Sequence, residues 1–364
     1  MKNSIMKAGQ GQGLFDCSGL TAYSGYFRDK NKLLASSSGG AAAVLSEAII
    51  KEGGCVFGAC YSSDFRSVEF ACIERLEDLN RLKGSKYSDS VKRIFHDGKY
   101  TALWPYVSEK LSSGREVLFT GLGCDVAALR AFLRANHIDS ANLFTVDLIC
   151  YGPTLSGVHE SFIDSLERKY NSRVKNFTVR YKKFGWVPPY VMAEFENGQE
   201  FCMKFYDSDY GKAFGLYARK VCYGCRFRGI NHQSDITVGD YWGLRPEMSG
   251  YNPDGVSVLI IHNERGRELM DKINKDEFAL MPADVSYIIQ SNPMYYKPRG
   301  KPLDYEKFCG DLKRYGLHKA LIIHDGGYLR IYAGKLARLI KSCARKILPS
   351  SLKRFIKRTF LHRN

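Results

Sequence analysis

REVLFTGLGCDVAALRAFLRANHIDSANLFTVDLICYGPT, residues 115–154, carries the fold in outline. VLFT is a short apolar run, GLG a turn, and DVAALRAFLRA sets Val126, Leu129 and Leu133 on one face of a helix. LFTVDLI is a second apolar run. Strand, helix and strand in that order predict a right-handed crossover with the two strands parallel. Cys124 and Cys150 then both fall just past the carboxyl ends of their strands, on one edge of the sheet. That edge is where open α/β sheets bind ligands.

Outward from this unit, ASSSGGAAAVLSEAIIKEGG reads as a Ser/Gly turn entering a helix that stops at Gly53 and Gly54, and CVFGACYS as a buried strand. The middle third changes period. VKNFTVRYKK and YVMAEFENGQEFCMKFY alternate as strands do, with Asn197-Gly198 as a tight hairpin turn, so an antiparallel meander is expected there. A helix around DYGKAFGLYARK, a strand GVSVLIIH and a helix ERGRELMDKI follow. The fold class is α/β, with α+β character in the middle third: parallel crossover units, a meander and a basic helical tail. The expected divisions are an N-terminal α/β part over 1–155, a meander part with a CxxC pair over 156–325, and a tail over 326–364.

A chain of 364 residues, 45% apolar and 25% charged, is long enough for about two globular cores. MKNSIMKAGQGQG has lysines but no apolar core after them, so no export signal is read there and a cytoplasmic location is expected. With 11 cysteines in no stapled pattern, thiols that stay free or bind metal are the expectation. No apolar run approaches the ~18 residues that would cross a bilayer. The net charge of +16 gathers at one end: residues 330–364 hold 11 Lys or Arg and no Asp or Glu, leaving 43 basic against 38 acidic residues elsewhere. Tyr332, Leu336, Leu339, Ile340, Cys343 and Ile347 recur at helical spacing, and Leu352, Phe355, Ile356 and Phe360 resume it after Pro349. Such a basic amphipathic pair suits an anionic membrane surface, and equally a helix docked on its own protein. Nucleic acid is not expected, because an apolar stripe has no use there.

CYGCRFRGINHQSDITVGDYWG, residues 222–243, opens on Cys222 and Cys225 at the spacing that grips one metal. A CxxC pair fits a redox dithiol, half of a zinc site or half of a cluster site. The redox motif expects a strand-to-helix turn, whereas polar coil follows here, and no second CxxC or CxxH stands nearby to close a zinc knuckle. His232 lies outside the usual ligand spacing and reads as a solvated loop residue. Cys124 and Cys150 can complete a four-thiolate set, with Cys124 favoured as thiolate by the helix it precedes. As small apolar core residues they need no such role. Cys55, Cys60, Cys72 and Cys202 sit in apparent strands and read as core, while Cys309 and Cys343 fall outside any recognised spacing.

SSSGG, residues 36–40, offers hydroxyls and backbone N–H groups at a helix N-terminus, which suits a phosphate or simply caps the helix. KGSKYSDS, residues 83–90, could complete an anion site or be an exposed loop. Asp235 and Asp240 flank the strand ITVG, as turn residues do and as ligands of ribityl hydroxyls would.

Together SSSGG, GSKYSDS, LFTGLGC, VDLICYG, CYGCRFRG and SDITVGDYWG occur in the order that resembles the coenzyme F420 hydrogenase/dehydrogenase beta subunit family, over roughly residues 30–275. The resemblance implies a flavin and iron-sulfur oxidoreductase with FAD and a 4Fe-4S cluster. It implies that Cys124, Cys150, Cys222 and Cys225 ligate the cluster. It implies that Ser37, Ser38, Gly39, Gly40, Ser85, Lys86 and Tyr87 line the FAD site, with Asp235 and Asp240 nearby. Of the family's N-terminal ferredoxin-like cluster segment only Cys17 remains, in FDCSGLTAYSG, so one cluster and an external electron carrier such as a ferredoxin are expected. The family's Thr-Pro-Cys is Leu122-Gly123-Cys124 here, and its Cys-His-Gly is Cys150-Tyr151-Gly152. Members shortened in this way accompany cell-surface polysaccharide synthesis, so a sugar or lipid-linked substrate stands beside a deazaflavin. A non-catalytic accessory module of that synthesis, retaining the fold with zinc or no metal in the thiolates, is the alternative.

Overall fold

The computed structural model describes residues 19–324. It forms two compact units, one up to Pro302 and one from Leu303. The basic helices expected over 330–364, and Cys17, lie outside the described residues.

Among its described residues the first unit holds thirteen strands: β1 Thr21–Phe27, β2 Cys55–Tyr61, β3 Val68–Ile73, β4 Ser90–His96, β5 Lys99–Ala102, β6 Val117–Gly121, β7 Leu143–Leu148, β8 Val174–Tyr181, β9 Tyr190–Phe195, β10 Glu200–Lys204, β11 Ile236–Asp240, β12 Ser257–Ile261 and β13 Phe278–Pro282. Ten of them make one sheet in the order β13-β1-β12-β11-β7-β6-β2-β3-β4-β5. Its centre is the parallel block β11, β7, β6, β2, with Gly121 opposite Asp147 and Cys55 opposite Val117. The crossover expected over 115–154 is therefore present, although its helix, Gly123–Ala135, begins two residues before Asp125. The Asp125 carboxylate accepts from the Leu122 N–H at 3.2 Å, which satisfies one of the donors a helix start leaves open. The sheet takes strands from both sides of residue 155.

Alternation along the central strands feeds two cores. Val56, Cys60, Leu118, Phe144 and Val146 face the helix Ala41–Lys51 and Leu269 of the helix Glu264–Asp271. Cys55, Phe57, Val117, Phe119 and Leu143 face Tyr106 and Val107 of the helix Leu103–Ser112 and Leu129 and Leu133 of the crossover helix. Helices thus cover both faces, as a parallel block requires. Each such fully buried Leu or Phe contributes roughly 1.5–3 kcal/mol relative to exposure. Cys55 and Cys60 are core as expected, whereas Cys72 and Cys202 are only half-buried.

After β7 the chain leaves this sheet, forms the helix Ser156–Tyr170, and builds the separate antiparallel sheet β10-β9-β8. That is the expected meander, with Gly198 at φ +80° in its hairpin turn. The chain then returns to the large sheet as β11, and what it carries back is the CxxC segment.

Candidate functional site

The four cysteines come from three places in the chain, and two features gather them. Past the end of β7, Thr154 bridges to Ala218, the Thr154 hydroxyl donates to Tyr217 O at 2.7 Å, and Arg219 N–H donates to Pro153 O at 3.1 Å. This zipper holds the short helical turn Lys220–Gly224, which carries Cys222, against the loop that carries Cys150. The second feature is missing side-chain volume. Gly152, at φ +102°, would place a Cβ 3.2 Å from Cys222 Cβ and 3.7 Å from its sulfur. At Gly123 a Cβ would stand 3.2 Å from Phe227 O, two residues beyond Cys225. Glycines beside Cys124 and Cys150 thus let the CxxC segment approach both strand ends.

Cys124, Cys150, Cys222 and Cys225 line one pocket. Leu122, Phe227, Arg219, Arg228 and His232 line it too. Burial pushes the Cys124 thiol up to about 11, against the opposing pull of Arg219, and the Cys150 thiol up to about 12. A metal that binds here displaces those protons. Among the described residues, no three of His, Cys, Asp or Glu converge as one metal ion would need.

The pocket is also lined by donors. Arg219 pairs with Asp89 at 2.8 Å through Nη1 and reaches Cys124 Sγ at 3.7 Å through Nη2. Arg228 donates to Met294 O. Arg219 Nε, Arg228 Nε and His232 Nε2 are buried with no hydrogen-bond partner. Buried polar groups are normally satisfied, so these three orphan nitrogens among four thiols are donors left open to an anionic occupant. His232 departs from the solvated residue expected of its loop: its side chain is 5% exposed and Nδ1 lies 2.7 Å from Asp147 Oδ2.

A second cluster forms around Arg180 of β8. Its guanidinium grips Asp240 bidentately at 2.7 and 3.2 Å, donates to Ser37 O at 2.9 Å, and reaches the Tyr87 hydroxyl at 3.3 Å. Ser85 Oγ donates to Ser37 Oγ at 3.0 Å. Trp186 Nε1 donates to Asp240 Oδ1 at 3.0 Å, and its ring stacks on Trp242 at 5.3 Å. Ser37, Ser85, Tyr87 and Asp240 are therefore brought together. Tyr87 in turn stacks on Phe214 at 4.3 Å, and Phe214 lies 5.4 Å from Tyr151, the neighbour of Cys150. Two aromatic rings thus connect this cluster to the cysteine pocket.

The other expected residues do not join it. The Lys86 ammonium donates to Leu82 O and Lys83 O at 2.8 and 2.7 Å, and burial lowers it to about 8. Ser38 Oγ is spent on Val256 O at 2.8 Å. Gly39 packs so tightly that a Cβ would lie 2.0 Å from Gly25 O, and Gly40, at φ +96°, lies against the Phe27 ring. The helix start behind them is turned inward, with Ala41 N–H donating to Ser257 Oγ at 3.3 Å. These glycines answer to strand packing. Asp235 sits at the far end of β11 from Asp240, roughly 16 Å away at a strand rise of about 3.3 Å per residue. Thr145 N–H and Oγ1 at 2.7 Å, Arg130 at 2.8 Å and Asn263 at 2.9 Å occupy its carboxylate.

Sequence reasoning missed Arg180 and Lys182. Both are buried, and Lys182 Nζ donates to Leu33 O at 2.9 Å and Ser38 O at 2.5 Å, with burial lowering it to about 7. The available signal was two cations two apart, hence on one face of an extended segment.

Residues 114–284 match a family described as the C terminus of the coenzyme F420 hydrogenase/dehydrogenase beta subunit. A solved structure of the F420-reducing NiFe hydrogenase complex from Methanosarcina barkeri is similar to 75% of this chain and 89% of its own, at 20% identity and a TM-score of 0.49. No protein of curated function matches. No helix among the described residues is long and apolar enough to cross a membrane. The similarity to the coenzyme F420 hydrogenase/dehydrogenase beta subunit family covers residues 114–284, a little under half of the chain.

Proposed function

We propose that the protein is a flavin and iron-sulfur oxidoreductase in which Cys124, Cys150, Cys222 and Cys225 hold one 4Fe-4S cluster. The observation that carries this reading is the pocket itself: four thiols from three chain segments, ringed by the unpaired buried nitrogens of Arg219, Arg228 and His232. Four thiolates make the site anionic, and those nitrogens are the donors it would need. A single tetrahedral zinc asks its ligands to converge to about 2.3 Å from one point. A cluster spreads the thiolates over separate irons, which suits cysteines that share a pocket without converging.

FAD is the second cofactor in this proposal, with Ser37, Ser85, Tyr87 and Asp240 as its candidate contacts and Arg180 as the cation that orders them. When bound, the flavin supplies hydride exchange with an organic partner and single-electron exchange with the cluster. The chain's own part is to exclude water, to hold thiolates and donors in place, and to keep the two sites within two aromatic rings of each other. An external electron-transfer protein such as a ferredoxin serves as the partner, and exposed Val221 and Ile230 flank the pocket segment it would meet.

Anaerobic reconstitution followed by absorbance, iron and acid-labile sulfide measurement tests the proposal. It predicts flavin with about four irons and four sulfides per folded chain. Folded protein that keeps neither flavin nor sulfide rejects it, and stoichiometric zinc with no flavin favours the accessory-module alternative.

A further inference from the structure

His232 is held as a residue facing a bound group is held, yet no described group uses its outward nitrogen. Its ring stacks with Tyr295 at 4.7 Å and with His262 at 5.4 Å. Its Nδ1 is engaged by Asp147 Oδ2 at 2.7 Å. Asp147 is wholly buried, and its other oxygen accepts from Thr237 Oγ1 at 2.5 Å, a hydroxyl that also stands 2.7 Å from His262 Nε2. A carboxylate this deep needs a compensating charge or several donors, and His232 is the cation-capable group in contact with it. The clamp leaves Nε2 on the opposite side of the ring, buried in the wall of the pocket that Cys124, Cys150, Cys222 and Cys225 share.

Resting on the four-cysteine reading, we infer that His232, with both ring nitrogens protonated opposite the Asp147 carboxylate, donates its Nε2–H to the sulfur-ligated group in that pocket, with Asp147 as the positioning residue that aims the ring. The carboxylate at Nδ1 gives His232 the carboxylate–histidine pairing that orients imidazoles at metal centres. An N–H aimed at thiolate or sulfide stabilises the extra negative charge that one added electron brings. His232 thereby raises the reduction potential of the group without bonding to the metal. Arg219 and Arg228 are the other donors on the same wall, so removing His232 weakens this effect and does not abolish it.

The test compares wild type, His232→Leu and His232→Gln, each reconstituted anaerobically with iron and sulfide. Iron and sulfide per chain are measured, and the midpoint potential is taken by a redox titration followed by electron paramagnetic resonance. All three chains are expected to load equally. The leucine variant moves the one-electron equilibrium about tenfold toward the oxidised form, about 59 mV more negative, and the glutamine variant, which keeps an N–H donor, recovers part of that shift. A fully loaded leucine variant with an unchanged midpoint overturns the His232 assignment and leaves the four-cysteine reading standing. Loss of iron from folded leucine variant also overturns it, by making His232 a ligand. Wild type that takes up neither iron nor sulfide overturns both.

Discussion

Gly152→Ala isolates the physical reason that the CxxC segment can meet the end of β7. Two penalties add at this position. The backbone stands at φ +102°, where an L side chain costs about 1–2 kcal/mol. The new methyl would also lie 3.2 Å from Cys222 Cβ and 3.3 Å from Ala218 Cβ, so one side must yield by a few tenths of an ångström. Overpacking of that kind costs about 1–3 kcal/mol, which gives about 2–5 kcal/mol in all. Gly198→Ala is the control, because Gly198 is at φ +80° with nothing within 4 Å, so it carries the backbone penalty alone. Urea unfolding of both variants without metal, under reducing conditions, should place Gly152→Ala about 1–3 kcal/mol below Gly198→Ala. Reconstitution should then show less iron retained by the Gly152 variant alone. Equal stabilities, with equal iron, would refute the claim that the missing Cβ at 152 sets the approach of Cys222.

Serine at Cys124, Cys150, Cys222 or Cys225 should each remove iron and sulfide, whereas Cys60→Ser should leave both, as elemental analysis of the purified variants would show. Asp235→Asn should destabilise the fold by about 3 kcal/mol, because it removes the partner of Arg130 and a buried acceptor, without changing flavin content. Asp240→Ala should do the reverse on cofactors, losing flavin absorbance while iron stays, since it frees Arg180 and Trp186 together. Lys182 predicts a pH effect: burial lowers it from 10.5 to about 7, so between those values the folded chain has shed a proton that the unfolded chain keeps. Stability therefore rises through that window, by up to about 1.4 kcal/mol per pH unit from this group, and Lys182→Met should flatten the rise in urea titrations.

The crossover over 115–154 was legible because apolar runs and a 3.6-residue period fix strand, helix and strand without outside help. Its consequence, Cys124 and Cys150 at one sheet edge, followed from topology alone. The arrival of Cys222 and Cys225 at that edge was not legible in the same way. It depends on the Thr154–Ala218 bridge and on absent Cβ atoms at Gly123 and Gly152, and neither leaves a periodic trace. His232 was misread because loop composition says nothing of a carboxylate waiting in the neighbouring strand, here Asp147 of β7. Arg180 and Lys182 were hidden for the opposite reason: cations in a strand suggest its wet face, and only tertiary partners turn that face inward. The split between Asp235 and Asp240 was readable in principle, since residues at opposite ends of a strand cannot share one small contact.

The central claim is that four cysteines gathered at the β6 and β7 edge hold an iron-sulfur cluster. Mössbauer spectroscopy of the chain reconstituted anaerobically with iron-57 and sulfide tests it most directly. The account predicts the signature of one 4Fe-4S centre per chain, lost on Cys150→Ser. Folded protein that shows only unspecific iron, or that binds one zinc per chain in preference, would contradict it.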